Sequence, residues 1–581
     1  MSPIPPPVAR RLGSRLPILI LLAAQLIIGL FTFRDYGLSW DEPLFYEYGD
    51  ALGYAYTPAN WFDPSFDLSN AYGPSGDDHK TRGPAYLLLA REPVHLLESL
   101  GADEASAWHL VNFLTFLLGV YFVYRLSLRW MSDWAAFGAA ALFSAQPLLW
   151  GHAFINPKDV PFLVFFTGAL VFGFEMVDSF HREETTPALA GGAREAAKRF
   201  FSSFIFHLSS LILPAFLLGI AASIRVLGPL AGIIVVIYAA IKHYTLRNTQ
   251  HATSTRSFIF RLSSFILLSI LVMFLSWPYL WEAPLTRFIE VFLFMSENPT
   301  GLQVLFGGQV YRAYDLPRRY LPTLLAITLT EPVWPLFGIG LLVRTVGDWK
   351  SRLRAAKSHL RGTQSAGGLI TDHWLLITDY WLLITVFIIP FAYVLLRRPP
   401  MYDGFRHFLF ILPPVFATCG LGLEVVFGWL KNWMSRNQWI FWLHAVTIFT
   451  LILPGIFSAA RLHPYEYAYY NSLVGGTGGA FRTYETDYWL TCYKEAVEQF
   501  NALAPRPAHL FVHREAYIAA GYAGDGITVR EARGNLSAIR SGDFILVNTR
   551  TNEDRKTFHN APVVLEIGRG GAAFCVVKQA P

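Results

Sequence analysis

Residues 16–43, LPILILLAAQLIIGLFTFRDYGLSWDEP, decide how this chain is read. They open on a long apolar run, 16–33, about the length a helix needs to cross the roughly 30 Å hydrocarbon core of a bilayer. Arg10, Arg11 and Arg15 precede it. Arg34-Asp35-Tyr36-Gly37 follow it in place of the small residues of a cleavage site, so the run is a retained anchor. Trp40-Asp41-Glu42-Pro43 then sets two carboxylates among aromatics just past the membrane boundary. Insertion alone gives no reason for them. Carboxylates held at a membrane face by a helix end suit acid/base chemistry on a lipid-linked substrate.

Similar runs recur near 107–127, 134–150, 160–178, 203–222, 226–241, 258–278, 322–343, 374–395, 406–430 and 438–459, giving about eleven spans. Composition agrees: 53% of residues are hydrophobic and 15% charged, where a soluble domain carries about a quarter charged. A net charge of +5 over 581 residues excludes a nucleic-acid role. Basic residues cluster in alternate loops: Arg125 and Arg129, then Arg194, Lys198 and Arg199, then Lys242, Arg247 and Arg256, then 344–361, then Lys431 and Arg436. The positive-inside rule puts these loops and the N-terminus in the cytoplasm of a plasma-membrane protein, with the C-terminal region outside.

The fold class is therefore an α-helical polytopic membrane protein. Residues 1–460 form the membrane domain, with a first external loop at 34–106, and 461–581 form a small α/β domain outside. In that domain strand-like runs at 510–513, 544–548, 563–567 and 574–577 accompany a helical stretch at 490–503. Residues 86–100 have the spacing of a helix lying in the interface. Three cysteines exclude a disulfide framework, although Cys492 and Cys575 share the outer domain and can pair. Two short repeats, 204–210 with 258–264 and 370–376 with 377–383, are too few for a solenoid. Read as local duplications, they remove His207, His373 and Asp379 from the site candidates.

Asp159 stands at the external end of another span, level with Asp41. Two such acids share a divalent cation, Mg or Mn, or divide the acid and base roles. Lys80, Arg82, Lys158, Arg225 and Arg406 fall at the same level, against the positive-inside trend. Arg225 lies in a very apolar tract, where a charge costs about 2.5–3.5 kcal/mol and is usually functional or paired. Bases beside acids at the outer face suit a phosphate-bearing lipid donor: the bases hold phosphate oxygens and the acids activate an acceptor. The plainer readings are solvated loop acids for Asp41 and Glu42, a helix cap for Lys158 and Asp159, lipid-headgroup contacts for Arg397 and Arg398, and a packed imidazole for His407.

Asp41-Glu42 after the first span, Asn156-Pro157-Lys158-Asp159 before the fourth, and Tyr402-Asp403-Gly404-Phe405-Arg406-His407 before a late span resemble the GT-C glycosyltransferases. The similarity is to the branch of protein O-mannosyltransferases and the lipid A aminoarabinose transferase. The stretch from His463-Pro464-Tyr465-Glu466 to Asn471, followed by Gly475-Gly476, extends it into the outer domain. The resemblance implies a polyprenyl-phosphate sugar donor drawn from membrane lipid and a protein, lipid or glycan acceptor. It implies a catalytic or metal-binding role for Asp41, with Glu42 beside it and Asp159 as second acid. Lys80 or Arg82, with Lys158, Arg225, Tyr402, Arg406 and His407, would contact the donor phosphate. The surroundings of Lys80, Lys-Thr-Arg-Gly-Pro, depart from the family pattern, which leaves Lys80 and Arg82 interchangeable. A transporter would instead show inverted repeats or broken helices near the midplane. A non-catalytic envelope scaffold would leave the acids and bases of separate loops unexplained.

Overall fold

A computed structural model describes residues 15–180, 210–246, 254–297, 300–360, 367–433 and 440–581. The expected basic positions Arg10, Arg11, Arg194, Lys198, Arg199, Arg247, Arg361 and Arg436, the start of the span 203–222, and His207 lie outside the described residues.

Seven described helices are long and apolar enough to cross a membrane: Glu104–Ser127, Asp159–Ser179, Pro229–Leu246, Thr255–Leu275, Asp379–Arg397, Arg406–Asn432 and Trp442–Leu462. Two shorter apolar helices, Leu16–Thr32 and Ser210–Ile224, accompany them. The chain is a multi-pass membrane protein. Two of the expected runs are not single straight helices. The run 134–150 is divided into Asp133–Ser144 and Pro147–Ile155, because Pro147 opens a new helix, where its missing N–H costs nothing. The run 322–343 is the pair Tyr320–Thr328 and Val333–Asp348, bent by 107° where Glu331-Pro332 interrupts it.

Burial separates inner from outer helices. Asp159–Ser179 is 89% buried and Arg406–Asn432 78% buried over their apolar windows, whereas Thr255–Leu275 and Trp442–Leu462 are 17% and 11% buried. The outer pair turns Phe260, Leu267, Trp442 and Phe457 outward, as lipid-facing helices do. At the end of the bundle away from Asp41, Arg129 pairs with Asp178 (2.9 Å) and Asp379 (2.7 Å), and Lys242 pairs with Asp178. Asp379, set aside above as part of a tolerant duplication, is fully buried and also accepts the Trp130 indole N–H. Two cations matched to two acids tie four helices together there.

The C-terminal region carries a five-stranded mixed sheet in the order Ile527–Glu531, Ala508–Val512, Phe544–Asn548, Ala572–Gln579, Val563–Arg569. The first three strands run parallel and the last two pair antiparallel. Strand alternation turns Leu510, Val512, Leu546 and Val577 toward the main core, while Phe511, Ile545, Val547 and Val576 form a separate cluster on the other face. Cys492 and Cys575 form a disulfide between helix Cys492–Leu503 and the sheet. This region is bonded to the loop that follows Leu16–Thr32: Trp40 N–H donates to the Trp489 carbonyl (3.3 Å), and the Tyr522 hydroxyl accepts from Leu38 N–H (3.0 Å).

Candidate active site

The tetrapeptide Trp40-Asp41-Glu42-Pro43 leads into the helix Glu42–Ala51, and its two carboxylates diverge at once. Glu42 is fully buried. It accepts the Ser39 N–H (2.6 Å), the Tyr46 hydroxyl (2.6 Å) and His109 Nε2 (3.0 Å), which fastens this helix to Glu104–Ser127. With its oxygens committed to these three donors, Glu42 ties the start of this helix to the bundle. The Asp41 side chain keeps 22% of its surface, and Arg406 Nη2 stands 3.1 Å from its Oδ2.

Asn156 organises the second acid. Its side-chain oxygen accepts from the backbone N–H of Lys158 (3.1 Å) and Asp159 (2.7 Å), starting the helix Asp159–Ser179, and its amide donates to Asp159 Oδ2 (3.0 Å). Asp159 is also paired with Arg225, and Arg406 Nη1 lies 3.2 Å from its Oδ2. Arg406 is thus the hub. Its third carboxylate is Asp403 at 3.1 Å, held in a left-handed turn with Asp403 at φ 55° and Gly404 at φ 68°. Asp403 is fully buried, pairs with Arg550 of the C-terminal region at 2.7 Å and accepts the Trp489 indole N–H at 3.1 Å. Arg550 continues to Glu485 at 2.9 Å and lies 4.5 Å over the Trp40 ring.

Beside Asp41 the balance changes sign. Lys158 and Arg82 lie against one ring, Phe45, at 5.4 and 6.0 Å. Among the described residues neither has a carboxylate within ion-pair distance. Burial, then the charges of Arg225 and Arg82, push the Lys158 ammonium well below its ordinary value. Burial and Arg82 likewise push His79 down to about 4, and its Nε2 has no partner among the described residues. In both cases burial is the larger cause and the neighbouring cations add to it. Gly83 brings this loop onto the turn that carries Arg225, since a Cβ there would run into the Ser223 carbonyl. The Lys80 carbonyl accepts the Trp277 indole (3.1 Å), closing the loop from the other side.

Of the expected site residues, Asp41, Asp159, Arg225 and Arg406 meet in one ion-pair network, with Arg82 and Lys158 on the adjoining Phe45 ring. Arg406 was expected on the donor phosphate. Its terminal nitrogens are instead taken by acids, which makes it the clamp on Asp41. Tyr402 packs against Arg406 (5.2 Å), and His407 packs edge-on against Tyr402 (4.9 Å). The pair expected to share a cation does not fit one: a guanidinium stands between Asp41 and Asp159, and both Asp159 oxygens are occupied by nitrogen donors. Among the described residues no group of three or more His, Cys, Asp or Glu could hold a metal. Sequence reasoning missed Asp403, Glu485, Trp489 and Arg550. Asp403 lay inside a quoted motif, whereas Glu485, Trp489 and Arg550 carry no local signal.

No family model and no curated protein matches the chain. Its fold is similar to solved structures at low identity. ArnT from Cupriavidus metallidurans, in the apo state, is 12% identical, with 97% of each chain covered and a TM-score of 0.46. The archaeal oligosaccharyltransferase AglB from Archaeoglobus fulgidus, in complex with an inhibitory peptide and a dolichol-phosphate, is 12% identical over 94% of this chain and 70% of that one, at 0.41. The arabinofuranosyltransferase AftD from mycobacteria is 13% identical over 98% and 40%, at 0.40. These likenesses decide neither reaction nor substrate, which rest on the site's own geometry.

Proposed function

We propose that the protein is a membrane glycosyltransferase of GT-C type, moving a sugar from a polyprenyl-phosphate donor to an acceptor outside the cytoplasm. The observation that carries the reading is the juxtaposition of a partly exposed carboxylate, Asp41, with two basic side chains, Arg82 and Lys158, that have no carboxylate within ion-pair distance among the described residues. Asp41 takes the proton of the acceptor hydroxyl as its oxygen bonds to the anomeric carbon. The bond from that carbon to the donor phosphate breaks, and its electrons stay on the phosphate. The donor is a phosphodiester with one charge and the leaving lipid phosphate carries close to two. Charge therefore develops where Lys158, Arg82 and the remaining N–H groups of Arg225 stand ready for it. The Cys492–Cys575 bond supports placing the outer domain in an oxidising compartment.

The test is transfer from undecaprenyl-phosphate-linked sugars to membrane acceptors by Asp41→Asn, which keeps the shape and removes the charge. A loss of about 10²–10⁴ is expected for a general base. A loss below about tenfold removes Asp41 from that role.

A further inference from the structure

We propose that Arg550, carried by the outer α/β domain, is a positioning residue of the membrane site, neutralising Asp403 so that Arg406 stays available to Asp41. The proposal rests on the reading of Asp41 and its cations given above.

The geometry makes Arg406 a contested cation. Its Nη2 stands 3.1 Å from Asp41 Oδ2 and the same 3.1 Å from Asp403 Oδ2. Which acid draws it more strongly depends on what else each holds. Asp41 has no second ion-pair partner among the described residues, whereas Asp403 has Arg550 at 2.7 Å and the Trp489 indole at 3.1 Å. Asp403 is fully buried, so water cannot screen it. Without Arg550 its whole charge would fall on Arg406. The left-handed turn at Asp403 and Gly404 fixes where that carboxylate points.

Arg550 is itself committed to this place. It is 3% exposed and lies over the ring of Trp40, the residue before Asp41, so one side chain touches the loop on one side of the site and the acid on the other. It also donates from Nε to Glu485 at 2.9 Å, a carboxyl that burial pushes up to about 7, while the Arg550 Nη2 faces Asp403. The outer domain thereby becomes part of the catalytic arrangement, through a residue about 140 positions away in sequence from the Arg406 it steadies.

The test is a double-mutant cycle on the full chain in detergent, reading kcat and KM for transfer from an undecaprenyl-phosphate sugar per folded molecule. Arg550→Met is expected to lower kcat at least tenfold while KM for the donor stays within about threefold. Asp403→Asn in the same chain removes the uncompensated charge and should restore kcat to within about threefold of Asp403→Asn alone. A purely structural contact would not be repaired by a second lesion. Should Arg550→Met fail to fold, Arg550→Gln removes the charge while keeping a polar side chain and carries the same comparison. A kcat of Arg550→Met within threefold of wild type overturns the proposal, as does a double variant no better than the single one. Wild-type protein that binds undecaprenyl phosphate no better than a phosphate-free polyprenol overturns the functional reading and this proposal with it.

Discussion

Arg406→Met is the sharpest perturbation of the site, because the three acids around Arg406 are unequally insured. Asp159 keeps Arg225 and the Asn156 amide, and Asp403 keeps Arg550 and the Trp489 indole. Asp41 keeps no other ion pair among the described residues, but its 22% exposure lets water take the vacated position. A buried pair that loses one partner costs about 3–5 kcal/mol because a charge is stranded. Here no buried carboxylate is left without a cation. The loss of charge-assisted bonds worth about 1.5–3 kcal/mol each is thus partly made good by the second partners and by solvent. We expect the variant to lose about 1–3 kcal/mol of stability and still to fold.

Turnover should respond quite differently. A base held by mobile water loses its orientation, and a misplacement of about 1 Å costs on the order of 10²-fold. Arg406→Met should therefore lower transfer by about 10²-fold or more per folded molecule. Arg406→Lys, with one nitrogen for three acids, should fall between that variant and wild type. The assay is transfer from whichever undecaprenyl-phosphate sugar the wild type uses, beside thermal unfolding in the same detergent. The reasoning fails if Arg406→Met transfers within tenfold of wild type, or if its loss is accounted for by the unfolded fraction.

Glu42→Ala leaves three buried donors without an acceptor, at about 1–3 kcal/mol each before relaxation, so melting should fall markedly while turnover per folded molecule stays within about threefold. A variant that melts like wild type and loses turnover would return Glu42 to the chemistry. Burial pulls the His463 imidazole down, but hydrogen bonds and charge from Glu466 and Asp35 outweigh it and raise it above its ordinary 6.5. The stabilisation from this contact is then complete below 6.5 and lost as pH rises through the raised value. The melting difference between wild type and His463→Ala should be largest near pH 6 and shrink in alkali; a pH-independent difference refutes the assignment. Gly83→Ala drives a methyl into the Ser223 carbonyl and should part the Arg82 loop from the Arg225 turn, weakening undecaprenyl phosphate binding about tenfold. Unchanged binding would show that this close approach does not shape the site.

Hydropathy marked where helices form, because each apolar run must be buried in lipid or protein whatever its neighbours do. It did not mark where they break. Pro147 and Glu331-Pro332 were visible in the sequence, yet a window of twenty residues averages over them, and only packing decides whether a proline opens a helix or ends one. Strand alternation placed four of the five outer strands. It left out Ile527–Glu531, a short edge strand whose apolar alternation rests on Ile527 and Val529 alone. The site divides along the same line. Asp41, Asp159, Arg225 and Arg406 were legible because charge at a membrane boundary is expensive and must have a purpose or a partner. Arg550 was not, because an arginine in a soluble domain is ordinary until the fold buries it. Asp379 was misread for the complementary reason: a duplicated segment looks tolerant of change until one copy is found closing an ion cluster. In both cases the deciding quantity is burial of a charge, which depends on segments hundreds of residues apart. Asp41 differs from its neighbours by that same measure. Among the acids of this network it is the one left partly open, which is what the proposed role of general base requires of it.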